Sequence, residues 1–336
     1  MSDFEVDEWD GTGSFAQHAV SGSIAGLAEH SVMFPVDTIK TIMQVRRAPQ
    51  FQHAFAADGA AMAASSSMSE SFVHLTAAGG MPRMWRGVQT MFTGCVPAHG
   101  AYFTIYETLR PALGRALARR TTSNSAAGAA AAAAGPPAAI ASGAAVAVAT
   151  MAHDVIMTPM DVCKQRLQLG YHRNSVIDCA CAIMRAEGPR AFMISYPVTL
   201  GMNVPYALVM GTSNELLRRR INPTGEHSLS TYLLAGAGAG SLAAAVTNPL
   251  DVIKTRLQTQ RCQTQPAAAV GTCPTPIRRL AYTGVLQTCA AIWREDGVRG
   301  FARGAQARVL VHAPSVAICW TTYEAGKHLL GKLGLV

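Results

Sequence analysis

Long apolar stretches alternate with polar ones along the chain of 336 residues, and six of them are long enough to form membrane-crossing helices. One stretch, from 233 to 250, carries no charge and approaches the roughly 20 residues that hydrocarbon requires. The other five contain scattered ionisable residues, as expected of helices that face lipid on one side and a water-filled cavity on the other. The pattern predicts long helices over 14–45, 88–118, 138–169, 195–219, 228–259 and 304–330.

Three of the predicted helices contain the same motif, Pro-x-Asp-x-x-Lys, with a glutamine nine residues after the proline. The proline removes one backbone hydrogen bond and should kink its helix. The Asp and Lys lie three residues apart on one face, so three such helices around an axis would pair the Asp of one repeat with the Lys of the next. This aspartate ring comprises Asp37, Lys40, Asp161, Lys164, Asp251 and Lys254, with hinge prolines Pro35, Pro159 and Pro249 and glutamine braces Gln44, Gln168 and Gln258.

The other three predicted helices end in an acid followed three residues later by a base. This glutamate ring comprises Glu107, Arg110, Glu215, Arg218, Glu324 and Lys327. It would lie at the opposite mouth of the helix assembly from the aspartate ring. Two rings that are not both closed during transport imply alternating access to a central site.

The threefold recurrence of these motifs predicts tandem repeats rather than unrelated domains. We expect a disordered N-terminus over 1–13, a first repeat over 14–118 with an insertion at 46–70, and an Ala/Ser/Pro linker over 119–137. A second repeat follows over 138–225, and a third over 226–332 with an insertion at 261–279. The predicted fold is an all-α membrane protein with six transmembrane helices in three tandem pseudo-threefold repeats.

The composition supports a membrane protein and argues against two other classes. Only 14% of the residues are charged, against about 25% in soluble domains. The net charge of +8 suits contact with anionic lipid headgroups, since the only dense basic run is Arg218–Arg220. Nucleic acid is therefore not an expected partner. The eight cysteines form no C-x-x-C pair, which argues against a structural zinc site.

The cavity positions where the repeats differ should recognise the cargo. Aligning the repeats on their prolines and glycines places a set of polar and sulfur-bearing residues toward the expected cavity: His30, Met33, His99, Asp154, Met202, Asn203 and His312. Imidazole, carboxylate and thioether groups suit a divalent transition metal. The set has few fixed cations away from the two rings, unlike a site for nucleotides or keto acids. For His312 and the methionines, a packing role is the alternative explanation.

The repeated motif resembles the signature of the mitochondrial carrier family. The second part of that signature resembles Trp85-Arg86-Gly87 and Phe301-Ala302-Arg303-Gly304, whereas the middle repeat keeps Glu187-Gly188 and Phe192 but has Ser195 in place of the glycine. The resemblance implies a multi-pass protein of the mitochondrial inner membrane. It also implies an aspartate ring on the matrix side and a glutamate ring on the cytosolic side.

Within that family, the chain is similar to the mitoferrins, the mitochondrial iron carriers. The similarity includes residues 29–35 in the first helix, 97–103 in the second and His153-Asp154 in the third. It implies import of Fe²⁺ into the matrix for haem and iron–sulfur cluster synthesis, with His30 and His99 handling the metal and His227 as a third such residue. Fe²⁺ is then cargo, and no permanently bound cofactor is expected.

The resemblance leaves other cargoes open. Thioethers favour Cu(I), whereas Asp154 with imidazoles favours Fe²⁺ or Mn²⁺, and a small organic solute is a further alternative. An enzyme is not expected, because no nucleophile–base pair and no closed metal site are evident in the sequence. The expected partners are Fe²⁺, free or weakly chelated, and inner-membrane lipids including cardiolipin, and the expected state is a monomer.

Overall fold

The computed structural model describes residues 15–45, 67–121, 136–170, 175–222, 229–260, 262–265, 277–280 and 282–332. The predicted disordered N-terminus and most of the first insertion and the linker lie outside these residues. In chain order the elements are α1 (Phe15–Val45), α2 (Met68–Gly79), a 3-10 helix (Met81–Trp85), α3 (Val88–Thr121), α4 (Pro136–Gln168), α5 (Val176–Glu187), α6 (Arg190–Met193), α7 (Tyr196–Ile221), α8 (Leu229–Thr259), β1 (Cys262–Gln265), β2 (Ile277–Leu280), α9 (Val285–Asp296), α10 (Val298–Phe301) and α11 (Ala305–Lys332).

The six long helices begin and end within a few residues of the predicted bounds. The hinge prolines Pro35, Pro159 and Pro249 lie inside the continuous helices α1, α4 and α8. Three stretches are long and apolar enough to cross a membrane by length and composition: Ser142–Gln168, Arg190–Ile221 and Ser230–Thr259. The described parts of α1, α3 and α11 do not meet that criterion.

Three details of the predicted organisation differ from the structure. Helix α2 begins at Met68, inside the predicted first insertion, because Ser67 and Glu70 cap each other's backbone N–H groups. Helix α4 begins at Pro136, inside the predicted linker, where proline is tolerated in the first helical turn. The second insertion contains an antiparallel hairpin, with Cys262 opposite Leu280 and Gln265 opposite Ile277. This hairpin is the only β-structure in the described parts of the chain, so the all-α fold class stands.

The chain divides into two compact units. One comprises Met1–Phe92 together with Thr158–Val336, and the other comprises Thr93–Met157. In the first unit, α1 packs against α11, α7 against α8, and α8 against α11. In the second, the small residues Ala98, Ala145 and Ala149 are fully buried.

Each repeat has a hydrophobic cluster where the C-terminal end of its proline-containing long helix (α1, α4 or α8) meets the following short helix (α2, α5 or α9). In the first repeat, Ile42 on α1 packs with Leu75 on α2 and with Met84, and all three are almost completely buried. The second and third repeats have equivalent clusters around Ile183 on α5 and Ile292 on α9. These clusters all belong to the larger unit.

Two of the three clusters are accompanied by buried ion pairs. Arg166 on α4 donates two 2.7 Å hydrogen bonds to Glu187, and its Nε donates to the carbonyl of Gln258 on α8 at 3.1 Å. Arg256 on α8 pairs with Glu295, and it contacts Asp296 at 3.0 Å. Arg166 and Arg256 each lie two residues before their glutamine brace, where the first repeat has Ile42. The first repeat therefore replaces the ion pair by apolar packing.

We predict that Arg166→Ala lowers the free energy of unfolding by roughly 3–5 kcal/mol, because the Glu187 carboxylate then stays buried without its bidentate partner. The double substitution Arg166→Ile with Glu187→Leu replaces the ion pair by apolar side chains, as in the first repeat. It should recover most of the lost free energy of unfolding. Thermal unfolding of the purified protein in detergent would measure both effects. Equal stability of Arg166→Ala and wild type would show that the pair contributes nothing.

Candidate functional site

The six residues of the aspartate ring form three ion pairs, all within the larger unit. Lys164 Nζ lies 2.5 Å from Asp37, Lys254 Nζ lies 3.0 Å from Asp161, and Lys40 Nζ lies 2.9 Å from Asp251. Each pair joins two different repeats, as the register of the proline motif requires. The ring therefore links α1, α4 and α8 at their C-terminal ends, and it is closed in this structure.

The Asp251 carboxylate, which we call the Asp251 corner of the ring, has more partners than the carboxylates of Asp37 and Asp161. In addition to Lys40, its carboxylate accepts a 2.7 Å hydrogen bond from Gln44 Nε2 and lies 3.0 Å from Arg308 Nη1. Arg308 also donates to Thr247 Oγ1 at 3.0 Å, and its guanidinium lies about 4 Å from the Met202 sulfur. The ring with Arg308 therefore holds one more cation than it holds anions.

Sequence reasoning missed Arg308 because no other repeat has a charge at that position. The aligned positions Gly87, Ser195 and Gly304 define the glycine register. The residues four positions later are Met91, Thr199 and Arg308. This asymmetry could have identified Arg308, since four residues is about one helical turn. The structure thus places a fixed cation next to a residue that the sequence assigned to the cargo path.

The three glutamine braces make different contacts. Gln44 bonds the ring carboxylate Asp251 and accepts from Thr255 Oγ1 at 2.7 Å, whereas Gln168 accepts from Thr41 Oγ1 at 3.0 Å. Gln258 donates to the hydroxyl of Ser195 at 3.0 Å. Only Gln44 thus hydrogen-bonds a ring carboxylate among the contacts in the described residues.

Ser195 occupies the position that is glycine in the other two repeats. The backbone conformation at this position differs between the repeats, and in the second repeat it accepts a side chain. Gly304 has a φ of 73°, and a Cβ there would lie 2.9 Å from the Gln44 side chain. Gly87 has a φ of 89°, with Leu167 and a backbone carbonyl 3.1 Å from the Cβ position. Ser195 instead has a φ of −90°, which any residue adopts, and its side chain is fully buried against the brace.

The described residues of the glutamate ring make one contact within a helix, one between helices and one with a neighbouring tyrosine. Glu215 on α7 pairs with the exposed Arg219 one turn later at 2.6 Å, and Arg218 stacks on Tyr232 and donates to its hydroxyl at 2.8 Å. Arg110 lies 5.6 Å from the Tyr106 ring centre. Glu324 and Lys327 belong to α11, but their side chains are outside the described part of the structure.

The predicted cargo-path residues of the larger unit are distributed over three helices. His30 is half-buried and Met33 is buried on α1, while Met202 is buried and Asn203 half-buried on α7. His312 on α11 lies 6.2 Å from the Tyr206 ring, and its Nδ1 would be 3.0 Å from a Cβ placed at Gly240. His312 therefore packs closely against α7 and α8. His227 lies outside the described residues.

The predicted residues of the smaller unit are held close together, with one addition. His99 Nδ1 lies 2.9 Å from the carbonyl oxygen of Cys95 and 3.3 Å from its thiol. The His99 ring makes an edge-to-face contact with the ring of His153, with centroids 5.1 Å apart. His153 Nδ1 in turn lies 3.3 Å from Asp154 Oδ1. The sequence singled out His99 and Asp154 but did not place His153 among the site residues.

Within the described residues, no group of three or more His, Cys, Asp or Glu side chains is arranged to hold a metal ion. In the larger unit, the ion-paired ring is accompanied by imidazole and thioether groups, and in the smaller unit two imidazoles lie beside a carboxylate and a thiol. Groups of these kinds can bind an ion through a few ligands and release it, whereas a closed high-affinity site would retain the ion.

Comparison with known proteins agrees with the repeat pattern. Residues 11–117, 135–224 and 225–334 each match the family described as mitochondrial carrier protein. Mitoferrin of Dictyostelium discoideum is 36% identical over 332 residues, which cover 96% of this chain and 97% of that protein. Human Mitoferrin-2 is 36% identical over 94% of this chain and 77% of its own, and human Mitoferrin-1 is 34% identical over 95% and 85%. The chain belongs to the mitochondrial carrier family.

Proposed function

We propose that this protein carries Fe²⁺ across the mitochondrial inner membrane into the matrix by alternating access, for haem and iron–sulfur cluster synthesis. As a mitochondrial carrier it is a multi-pass protein of that membrane. Similarity to proteins named mitoferrin over nearly the whole chain supports iron as the cargo. Imidazole, carboxylate and thioether groups at the variable cavity positions suit a divalent transition metal.

The observation that carries the transport mechanism is the closed aspartate ring. Three ion pairs between repeats close it. A closed ring fits a state that is closed at the matrix side, and alternating access then requires a second state in which this ring opens. Cargo binding would then favour the opposite state by binding it more tightly.

Within this mechanism, we assign the cargo path to His30, His99 and Asp154, with Met33 and Met202 as softer ligands and Asn203 and His312 along the wall. His227 would act near the cytosolic mouth. Fe²⁺ entering from the cytosol would exchange hydration water for one or two of these groups at a time. Contacts with cardiolipin and other inner-membrane lipids and a monomeric state belong to the same proposal.

A second candidate cargo is iron carried as an anionic chelate, or a small organic anion. Arg308 favours it, because a buried guanidinium beside Met202 and Thr247 can bind carboxylate or phosphate oxygens. The same cation would repel a bare divalent ion. Arg308 is, however, already neutralised in part by Asp251. We therefore retain Fe²⁺ as the leading cargo.

We predict that His30→Ala, His99→Ala and Asp154→Ala each lower Fe²⁺ uptake by about 10-fold or more, as expected when a metal loses a ligand or the group that orients one. His312→Ala should have a smaller effect, because its ring packs against Tyr206. Uptake of labelled Fe²⁺, Mn²⁺ and Cu⁺ into liposomes with equal amounts of incorporated protein would measure this. Unchanged Fe²⁺ uptake by the His30/His99 double variant would refute the metal assignment.

We predict that Asp37→Lys and Lys164→Asp each abolish most transport, since each places two like charges side by side in the aspartate ring. The double variant, which reverses the pair, should regain part of the lost uptake. Arg190→Asp, a charge reversal of an exposed cation on α6, serves as the control. A folded double variant as inactive as the single variants would argue against this pair in the transport cycle.

We predict that Arg308→Gln raises the initial rate of free Fe²⁺ uptake at low ionic strength, because it removes a repulsive charge from the path. Arg308→Lys retains that charge and provides the control. Comparing uptake of free Fe²⁺ with that of Fe²⁺ citrate would separate the two candidate cargoes. Loss of chelate uptake in Arg308→Gln, with no gain for free Fe²⁺, would favour the anionic cargo.

A further inference from the structure

His153 has contacts that the predicted cargo path does not explain. It lies on α4, is 4% exposed, and contacts the His99 ring edge-to-face with an interplanar angle of 89°. The position falls eight residues before the signature aspartate, where the other repeats have Glu29 and Ala243. Each repeat therefore has a different chemical group at this position, as expected where an asymmetric cargo is recognised.

The hydrogen bonds of the two histidines fix which ring nitrogen carries the proton. His99 Nδ1 faces the Cys95 carbonyl oxygen, and His153 Nδ1 faces the Asp154 carboxylate. Both oxygens are acceptors, so in the neutral rings each Nδ1 carries the hydrogen and each Nε2 carries the lone pair. An oxygen acceptor on one nitrogen with the lone pair on the other is the usual arrangement of a metal-ligating histidine.

The distance between the rings matches shared coordination of one ion. With metal–nitrogen distances of about 2.1 Å, two imidazoles bound to one ion at tetrahedral or octahedral angles have ring centroids about 5 Å apart. The observed separation is 5.1 Å. The separation of the two rings therefore needs no change for both imidazoles to bind one ion.

We infer that His99 and His153 form a two-imidazole coordination point for the transported Fe²⁺, with Asp154 as a positioning residue for His153 rather than a direct ligand. This inference rests on the proposed function, and it assigns Asp154 a more specific role within the cargo path. Two neutral nitrogen ligands hold a divalent ion weakly, which suits a transport intermediate. The remaining coordination positions would be occupied by water.

The test uses the full chain, purified and reconstituted, with Co²⁺ as the spectroscopic probe and labelled Fe²⁺ for uptake. His153→Asn is the key variant because asparagine keeps a polar atom near the Nδ1 position, facing Asp154, but has nothing at the Nε2 position. We expect it to lower Co²⁺ affinity and Fe²⁺ uptake by about 10-fold or more while thermal stability is maintained. His74→Asn, a histidine substitution on α2, is the matched control and should change neither.

A double-mutant cycle separates shared coordination from two independent contributions. If both rings bind one ion, His99→Asn with His153→Asn should be little worse than either single variant. Asp154→Leu should lower Co²⁺ affinity less than His153→Asn does, and it should have almost no further effect in the His153→Asn background. Multiplicative losses in the double variant, or a larger loss from Asp154→Leu alone, would overturn the assignment.

The outcomes also distinguish this inference from the proposed function. Wild-type Co²⁺ affinity and Fe²⁺ uptake in folded His153→Asn would overturn the site while leaving iron transport intact. Absence of Fe²⁺ uptake by the wild type, with Co²⁺ binding that depends on both histidines, would overturn the transport proposal alone. Should His153→Asn fail to fold, His153→Ser takes its place, since serine also has no atom at the Nε2 position, and wild-type Co²⁺ affinity in that variant would equally refute the inference.

Discussion

The closed end of this carrier depends on the attraction between three aspartates and three lysines that belong to different repeats. Their side chains keep between 8% and 29% of their exposure, so water screens the pairs in part. If each pair contributes about 1 kcal/mol, the ring as a whole holds the closed state by about 3 kcal/mol. A cargo that binds the other state about 100-fold more tightly could offset that amount. Weak pairs are thus what allow a weakly bound ion to open the ring.

The ring is threefold in composition but not in its supporting contacts. The Asp251 corner has Lys40, Arg308 and Gln44, whereas each of the other two aspartates has a single lysine in the ring. The brace of the third repeat is held by Ser195 instead of facing a glycine. Opening therefore requires different work at each corner. These differences between the repeats thus make the mechanical cycle asymmetric.

Repeated features were predictable from the sequence, and features present once were not. The proline motif and the glycine register located the six long helices and paired Asp37 with Lys164, because fixed spacing determines which residues share a helix face. Arg308 and His153 were missed, since neither residue recurs at the equivalent position of another repeat, and only the folded structure shows the contacts of Arg308 with Asp251 and of His153 with His99. The hairpin of β1 and β2 lies almost entirely in the stretch predicted as the second insertion, for which the sequence analysis predicted no strand. Whether the predicted cargo residues bind iron stays a prediction.

The replacement of an ion pair by Ile42 in the first repeat implies that the three repeats respond differently to temperature. Arg166 with Glu187 and Arg256 with Glu295 are buried pairs, and the cost of dehydrating such groups falls as temperature rises. The apolar contacts of Ile42, Leu75 and Met84 weaken on cooling because burying apolar surface changes the heat capacity. Both kinds of contact therefore weaken near freezing, whereas on heating the second and third repeats gain stabilisation from their ion pairs that the first repeat, with Ile42 at that position, lacks.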